Sequence, residues 1–90
     1  MTGSARFPLG LLAITANAST TLATEEVLTA LKRHGSGDWG DLCPEDALAN
    51  DGALATGGRL FSAYGHGACR FWVITEEDRS VTTVLLPDDY

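Results

Sequence analysis

Three β-forming runs close the chain, and they limit its fold more than any other feature. Arg59–Tyr64 (RLFSAY) alternates apolar and polar positions, Ala68–Thr75 (ACRFWVIT) is aromatic and β-branched, and Val81–Leu86 (VTTVLL) continues until Pro87 ends it. Such residues suit a pleated, half-buried surface. Gly65-His66-Gly67 and the polar Glu76–Ser80 supply the turns between them. Two hairpins in succession make an antiparallel meander. Its apolar side needs cover, and the rest of a 90-residue chain must provide it.

The N-terminal half supplies one further strand and two helices. Met1–Arg6 is small and polar and reads as a frayed end. Phe7–Ala16 is an apolar run with little charge, and Pro8 and Gly10 interrupt it too early for a signal peptide. It is predicted as a strand, with Asn17–Thr21 as a turn. Thr24-Glu25-Glu26 then places a capping hydroxyl and two acids at the positive end of a helix. Val27, Leu28 and Leu31 follow at helical spacing, with Ala23 and Ala30 on the same side. Lys32, Arg33 and His34 suit the negative end, and Gly35 stops it. Pro44-Glu45-Asp46 opens a second helix, with proline where no N–H is needed, and Gly57-Gly58 ends it. The predicted fold is α+β: an antiparallel sheet of three or four strands with two helices on one face, in a single compact domain over residues 1–90. Leu11, Val27, Leu28, Leu31, Leu48, Leu60, Phe71, Val73 and Leu85 are the expected core.

No familiar catalytic motif emerges. His34 follows two cations at a helix end, where it is expected to cap carbonyls. His66 sits between two glycines in a turn and is expected to be exposed. Cys43, Cys69 and the two histidines have no closely spaced ligand pair, so no metal site is expected, and Cys69 reads as a small core residue. Gly35–Gly40 (GSGDWG) follows a helix rather than a strand and lacks the Lys-Ser or Lys-Thr of a phosphate-binding loop. Trp39 and Trp72 read first as packing residues. Asp38 is expected to be a local cap.

Charge says more. Twelve acids against six bases give a formal net charge of −6. That excludes a general nucleic-acid binder, which needs a basic excess for phosphate contacts, and disfavours anionic membranes. No apolar stretch approaches a membrane span of about 18–20 residues. Ten of the twelve acids fall in two stretches: Asp38, Asp41, Glu45, Asp46 and Asp51, then Glu76, Glu77, Asp78, Asp88 and Asp89. If folding joins the two, they attract a basic partner.

Four segments carry a family resemblance: Phe7–Gly10 (FPLG), Gly37–Asn50 (GDWGDLCPEDALAN), Gly57–Tyr64 (GGRLFSAY) and Phe71–Tyr90 (FWVITEEDRSVTTVLLPDDY). They resemble a family of small acidic proteins carried on bacterial plasmids, conjugative elements and prophages. The resemblance implies a mobile-element origin and a bacterial cytoplasm, and it carries over no catalytic residue. In size, charge and origin the chain is also similar to anti-CRISPR and anti-restriction inhibitors. The expectation is a non-enzymatic inhibitor that needs no cofactor. Its ten clustered acids would occlude the basic nucleic-acid-binding surface of a host defence complex, with a type I CRISPR surveillance complex as the specific candidate. The alternatives are an accessory partner of a mobile-element replication or transfer protein, and a small metal-binding or catalytic domain using His66, Cys69 and acids.

Overall fold

A computed structural model describes residues 5–90. Residues 1–4 of the expected frayed end lie outside the described residues. Arg6 is within them, and its N–H donates to the Gly35 carbonyl at 2.7 Å.

The element order is β1 (Leu11–Ile14), α1 (Ala16–Thr21), α2 (Thr24–Gly35), α3 (Pro44–Thr56), β2 (Leu60–Tyr64), β3 (Phe71–Thr75) and β4 (Val81–Leu85). The four strands form one sheet in the order β1-β4-β3-β2. β2, β3 and β4 are the expected antiparallel meander, with Ser62 opposite Val73 and Val73 opposite Val84. The fold is α+β, but the sheet is mixed rather than purely antiparallel. β1 runs parallel to β4, with Leu12 beside Thr82 and Ile14 beside Val84. The cause is topological. The chain leaves β1 at one end of the sheet, passes through the helices and the meander, and enters β4 from the other end.

Asn17–Thr21 is helix α1 rather than a turn. Its six residues form a poor helix on their own, and two outside contacts hold them. Thr15 caps the start by accepting from the Ala18 N–H, and Asp89 accepts from both Thr15 Oγ1 and the Asn17 amide. α2 begins one residue earlier than a Thr24 cap would place it: Ala23 is the cap residue and Thr24 the first helical position.

Strand alternation decides which side chains enter the core. Leu60, Ser62, Tyr64, Phe71, Val73, Thr75, Thr82 and Val84 share one sheet face, and all are buried. Ala18 of α1 and Ala30 and Leu31 of α2 pack on that face. α3 lies along the β2 margin, where Ala47, Ala53 and Leu54 join Phe7, Trp39 and Leu60. The opposite face bears the tilted pair Phe61–Trp72 and Tyr90, whose ring stands edge-on to Trp72.

Leu31, Leu60, Phe71, Val73 and Leu85 are buried as expected, and Val27 is half-buried. Leu11, Leu28 and Leu48 are not: they are 71%, 53% and 69% exposed. β1 is the outer strand, and no described residue covers Leu11. Leu28 borders the open groove between α2 and β1, and Leu48 faces away from β2 across a helix whose buried position is Asn50. Cys69 is also exposed, because Gly67–Cys69 is a short 3₁₀ turn ahead of β3 rather than part of it.

Candidate functional site

The ten clustered acids occupy three places. Asp38 and Asp41 flank Gly40, which forms a parallel bridge to Ala63 on the outer side of β2, and Glu45 and Asp46 follow in the first turn of α3. These four follow one another along the segment that leads into α3. Asp51 lies further along α3 and accepts from the Trp39 indole N–H at 3.0 Å. Glu76, Glu77 and Asp78 form the β3–β4 turn, whereas Asp88 and Asp89 follow the far end of β4. Five strand residues separate those two groups, a span of about 17 Å. The second stretch is therefore divided between opposite ends of the sheet.

Many of these carboxylates have local work. Asp38 is bound by Arg33 at 2.7 and 3.2 Å and accepts from the Gly40 N–H, and the Arg33 bond holds its carboxyl below the usual range. Asp78 binds the Ser80 hydroxyl and N–H, and Asp89 binds Thr15, Asn17 and the Leu86 N–H; these bonds lower both acids. Asp41 and Glu76 each stand 3.7 Å from a guanidinium, Arg70 and Arg59. Among the described residues, Glu45, Asp46, Glu77 and Asp88 have neither an ion pair nor a side-chain hydrogen bond, and all four are exposed.

His34 does not cap exposed carbonyls; it is fully buried. Its Nδ1 lies 2.6 Å from Ser62 Oγ and its Nε2 2.9 Å from Thr75 Oγ1. Thr75 is 2.7 Å from Thr82 Oγ1, and Thr82 donates to the Leu9 carbonyl at 2.6 Å. That carbonyl can only accept, so every proton in the chain points toward it. Ser62 donates to Nδ1, Nε2–H donates to Thr75, and Thr75 donates to Thr82. The ring is thus the neutral Nε2–H tautomer, assigned from the network. Burial, with a smaller contribution from the Arg79 charge, lowers its pKa to about 4. Ser62 and His34 resemble a nucleophile and its base, but both are fully buried, and the path from ring to hydroxyl has no opening for a substrate. Phe7 and Trp39 complete the enclosure, with ring centroids 5.4 and 5.7 Å from the imidazole. The signal for this network was present in the strands: Ser62, Thr75 and Thr82 hold inward positions, and buried hydroxyls need partners.

His66 is exposed, as are the free thiols of Cys43 and Cys69. Among the described residues, no three His, Cys, Asp or Glu side chains are grouped to hold a metal ion.

The sheet's outer strand carries a feature that the sequence did not reveal. Leu11, Leu12 and Ile14 of β1 are 71%, 55% and 43% exposed, and Leu28 stands exposed on α2. Between these elements runs an open groove of about 850 Å³, lined by Leu9, Leu12, Leu28 and Leu31 with Lys32 at its rim. Contiguous exposed apolar surface marks contact sites more often than scattered leucines do. The available sequence clue was the absence of any charged residue from Phe7 through Thr24.

No family profile, curated protein or solved structure matches this chain.

Proposed function

We propose that this chain acts by binding protein, as an acidic inhibitor that covers the nucleic-acid-binding surface of a host defence complex. The observation that carries the reading is the exposed carboxylates of Asp41, in the loop before α3, and of Glu45 and Asp46 in its first turn. It sits on a chain of net charge −6. A groove built for phosphates offers closely spaced cations, and carboxylates on a rigid helix end can engage them. Complementary charge speeds encounter and selects the partner, while apolar anchors hold the complex. The bacterial cytoplasm and mobile-element origin implied by the family resemblance belong to the same reading.

The test uses a charge reversal that spares the acids whose carboxylates accept hydrogen bonds. Asp41→Lys, Glu45→Lys and Asp46→Lys together leave Asp38, Asp51, Asp78 and Asp89 in place. The parent protein is expected to displace duplex DNA from a purified type I CRISPR surveillance complex, with an affinity that falls steeply as salt rises. The triple variant should keep its circular dichroism spectrum and lose the displacement. A parent that fails to compete with DNA rejects the defence-complex target, and a triple variant that competes equally well rejects these carboxylates as the contact.

A further inference from the structure

In the parallel β1–β4 ladder, the Leu11 N–H donates to the Ser80 carbonyl at 2.9 Å and the Thr15 N–H to the Val84 carbonyl at 3.0 Å. Backbone groups alternate in direction along a strand, so Leu11, Ala13 and Thr15 face β4 while Leu12 and Ile14 face away. Among the described residues, no backbone group pairs with that outward side. The natural partner for two N–H and two C=O groups at strand spacing is another extended strand.

We propose that this partner is β1 of a second copy, paired antiparallel about a two-fold axis through Ala13, so that two four-stranded sheets become one of eight strands. The pattern of β1 is self-complementary. With Ala13 on the axis, Leu12 faces the second copy's Ile14 and Ile14 faces its Leu12. Each of these pairs exchanges two hydrogen bonds, giving four and leaving no outward group of β1 unpaired. The residue that meets its own copy is the smallest in the strand, at the closely spaced position of an antiparallel ladder. Leu12 and Ile14 lie on the sheet face that carries the helices, where the groove between β1 and α2 receives the second copy's apolar side chains.

Charge at the strand itself does not oppose a second copy. Two chains of net charge −6 repel, but no charged residue occurs from Phe7 through Thr24, so the strand brings no like charges into the contact. The strand also lacks the lysine or proline that commonly protects a free edge. Four residues make a short ladder, so the contact belongs among small, concentration-dependent interfaces. It does not depend on the acidic reading above, because it is measured on the protein alone.

The test is sedimentation of the pure protein over a concentration series, with amide exchange of Leu12 and Ile14 followed in the same samples. The expected result is a shift toward twice the 9.5 kDa chain mass, with protection of those two amides rising in step. Leu12→Pro removes an outward N–H and spares every β1–β4 bond, and it should weaken association at least about tenfold. Leu12→Lys should act likewise while keeping the backbone donor, which covers the case of a proline variant that does not fold. In a Cys43→Ser, Cys69→Ser background, Ala13→Cys should form a disulfide with its own copy under mild oxidation. A wild-type chain that stays monomeric up to roughly 1 mM, with both amides exchanging freely, overturns the proposal. So does a dimer that persists unchanged in both Leu12 variants.

Discussion

The two margins of the sheet are finished in opposite ways. At the β2 margin, the chain turns back on itself. Gly40 bridges Ala63: the Ala63 N–H donates to the Trp39 carbonyl at 3.2 Å, and the Asp41 N–H donates to the Ala63 carbonyl at 2.8 Å. Two residues earlier, the Asn50 side chain meets both outward groups of Phe61, accepting from its N–H at 3.2 Å and donating to its carbonyl at 2.6 Å. A side-chain amide can both donate and accept, so Asn50 takes the place of a neighbouring strand at that residue. Among the described residues, nothing equivalent occurs at the β1 margin, and leucine and isoleucine side chains stand in the open. The comparison teaches that edge protection is local work, done here by one loop and one helix that reach β2 and cannot reach across three strands to β1.

The largest expected effect comes from breaking the closed margin. Trp39 is buried between Phe7 and His34, and its carbonyl carries the Ala63 bond. Trp39→Ala should cost about 3–5 kcal/mol in urea unfolding, the usual range for an aromatic removed from a core. A loss under about 1 kcal/mol would show that the loop closes β2 without its anchor.

Acid should loosen the network that reaches from α2 through the meander to the segment before β1. His34 has a folded pKa of about 4 against 6.5 for the free side chain, so the unfolded chain takes up its proton first as pH falls. This contribution to stability is complete above pH 6.5 and declines toward pH 4, by about 3 kcal/mol in all. Unfolding free energies measured across that window should fall accordingly, and a His34→Gln variant should show a flatter profile. Equal slopes in the two proteins would assign the acid sensitivity elsewhere.

Asn50→Leu keeps the bulk of the side chain and removes both of its bonds to Phe61. The expected loss is about 2 kcal/mol, near the lower end of the roughly 1–3 kcal/mol for each orphaned backbone group, since Phe61 is half-buried. Exchange of the Phe61 amide should rise with it. Were stability unchanged, water would be serving that edge as well as asparagine does.

The smallest effects belong to the open margin. Leu28→Ala should alter stability by less than about 0.5 kcal/mol, whereas Leu31→Ala, three positions further on the same helix, should cost about 2–5 kcal/mol. Matching losses at the two sites would mean that β1 and the α2 groove are covered in the monomer.

The meander was legible because its evidence is short-range. Alternation in Leu60–Tyr64, Phe71–Thr75 and Val81–Leu85 marks the strands without reference to the rest of the chain, whereas packing decided that Val84, not Leu85, shares the face of Phe71 and Val73. α2 was legible for the same reason, through its acidic start, basic end and apolar spacing. α1 was not: Ala-Asn-Ala-Ser-Thr-Thr has weak helical preference, and its helix depends on Asp89, more than seventy residues away in sequence. The positions of the clustered acids were legible as residues but not as a surface. β4 carries Asp88 and Asp89 to the end of the sheet opposite Glu76–Asp78, and proximity in sequence gave no warning of it.

By itself, the sequence determined the three strands of the meander, the glycine stop of α2, the proline start of α3 and the charge of −6. These follow from backbone periodicity, from capping and from counting, all of which act over a few residues. Tertiary structure alone decided that β1 lies parallel to β4, that His34 is sealed between Ser62 and Thr75, and that Leu11, Leu12 and Leu28 face outward. Each of those outcomes depends on which distant segment arrives beside a residue. An apolar strand has the same local pattern whether or not another strand covers its edge.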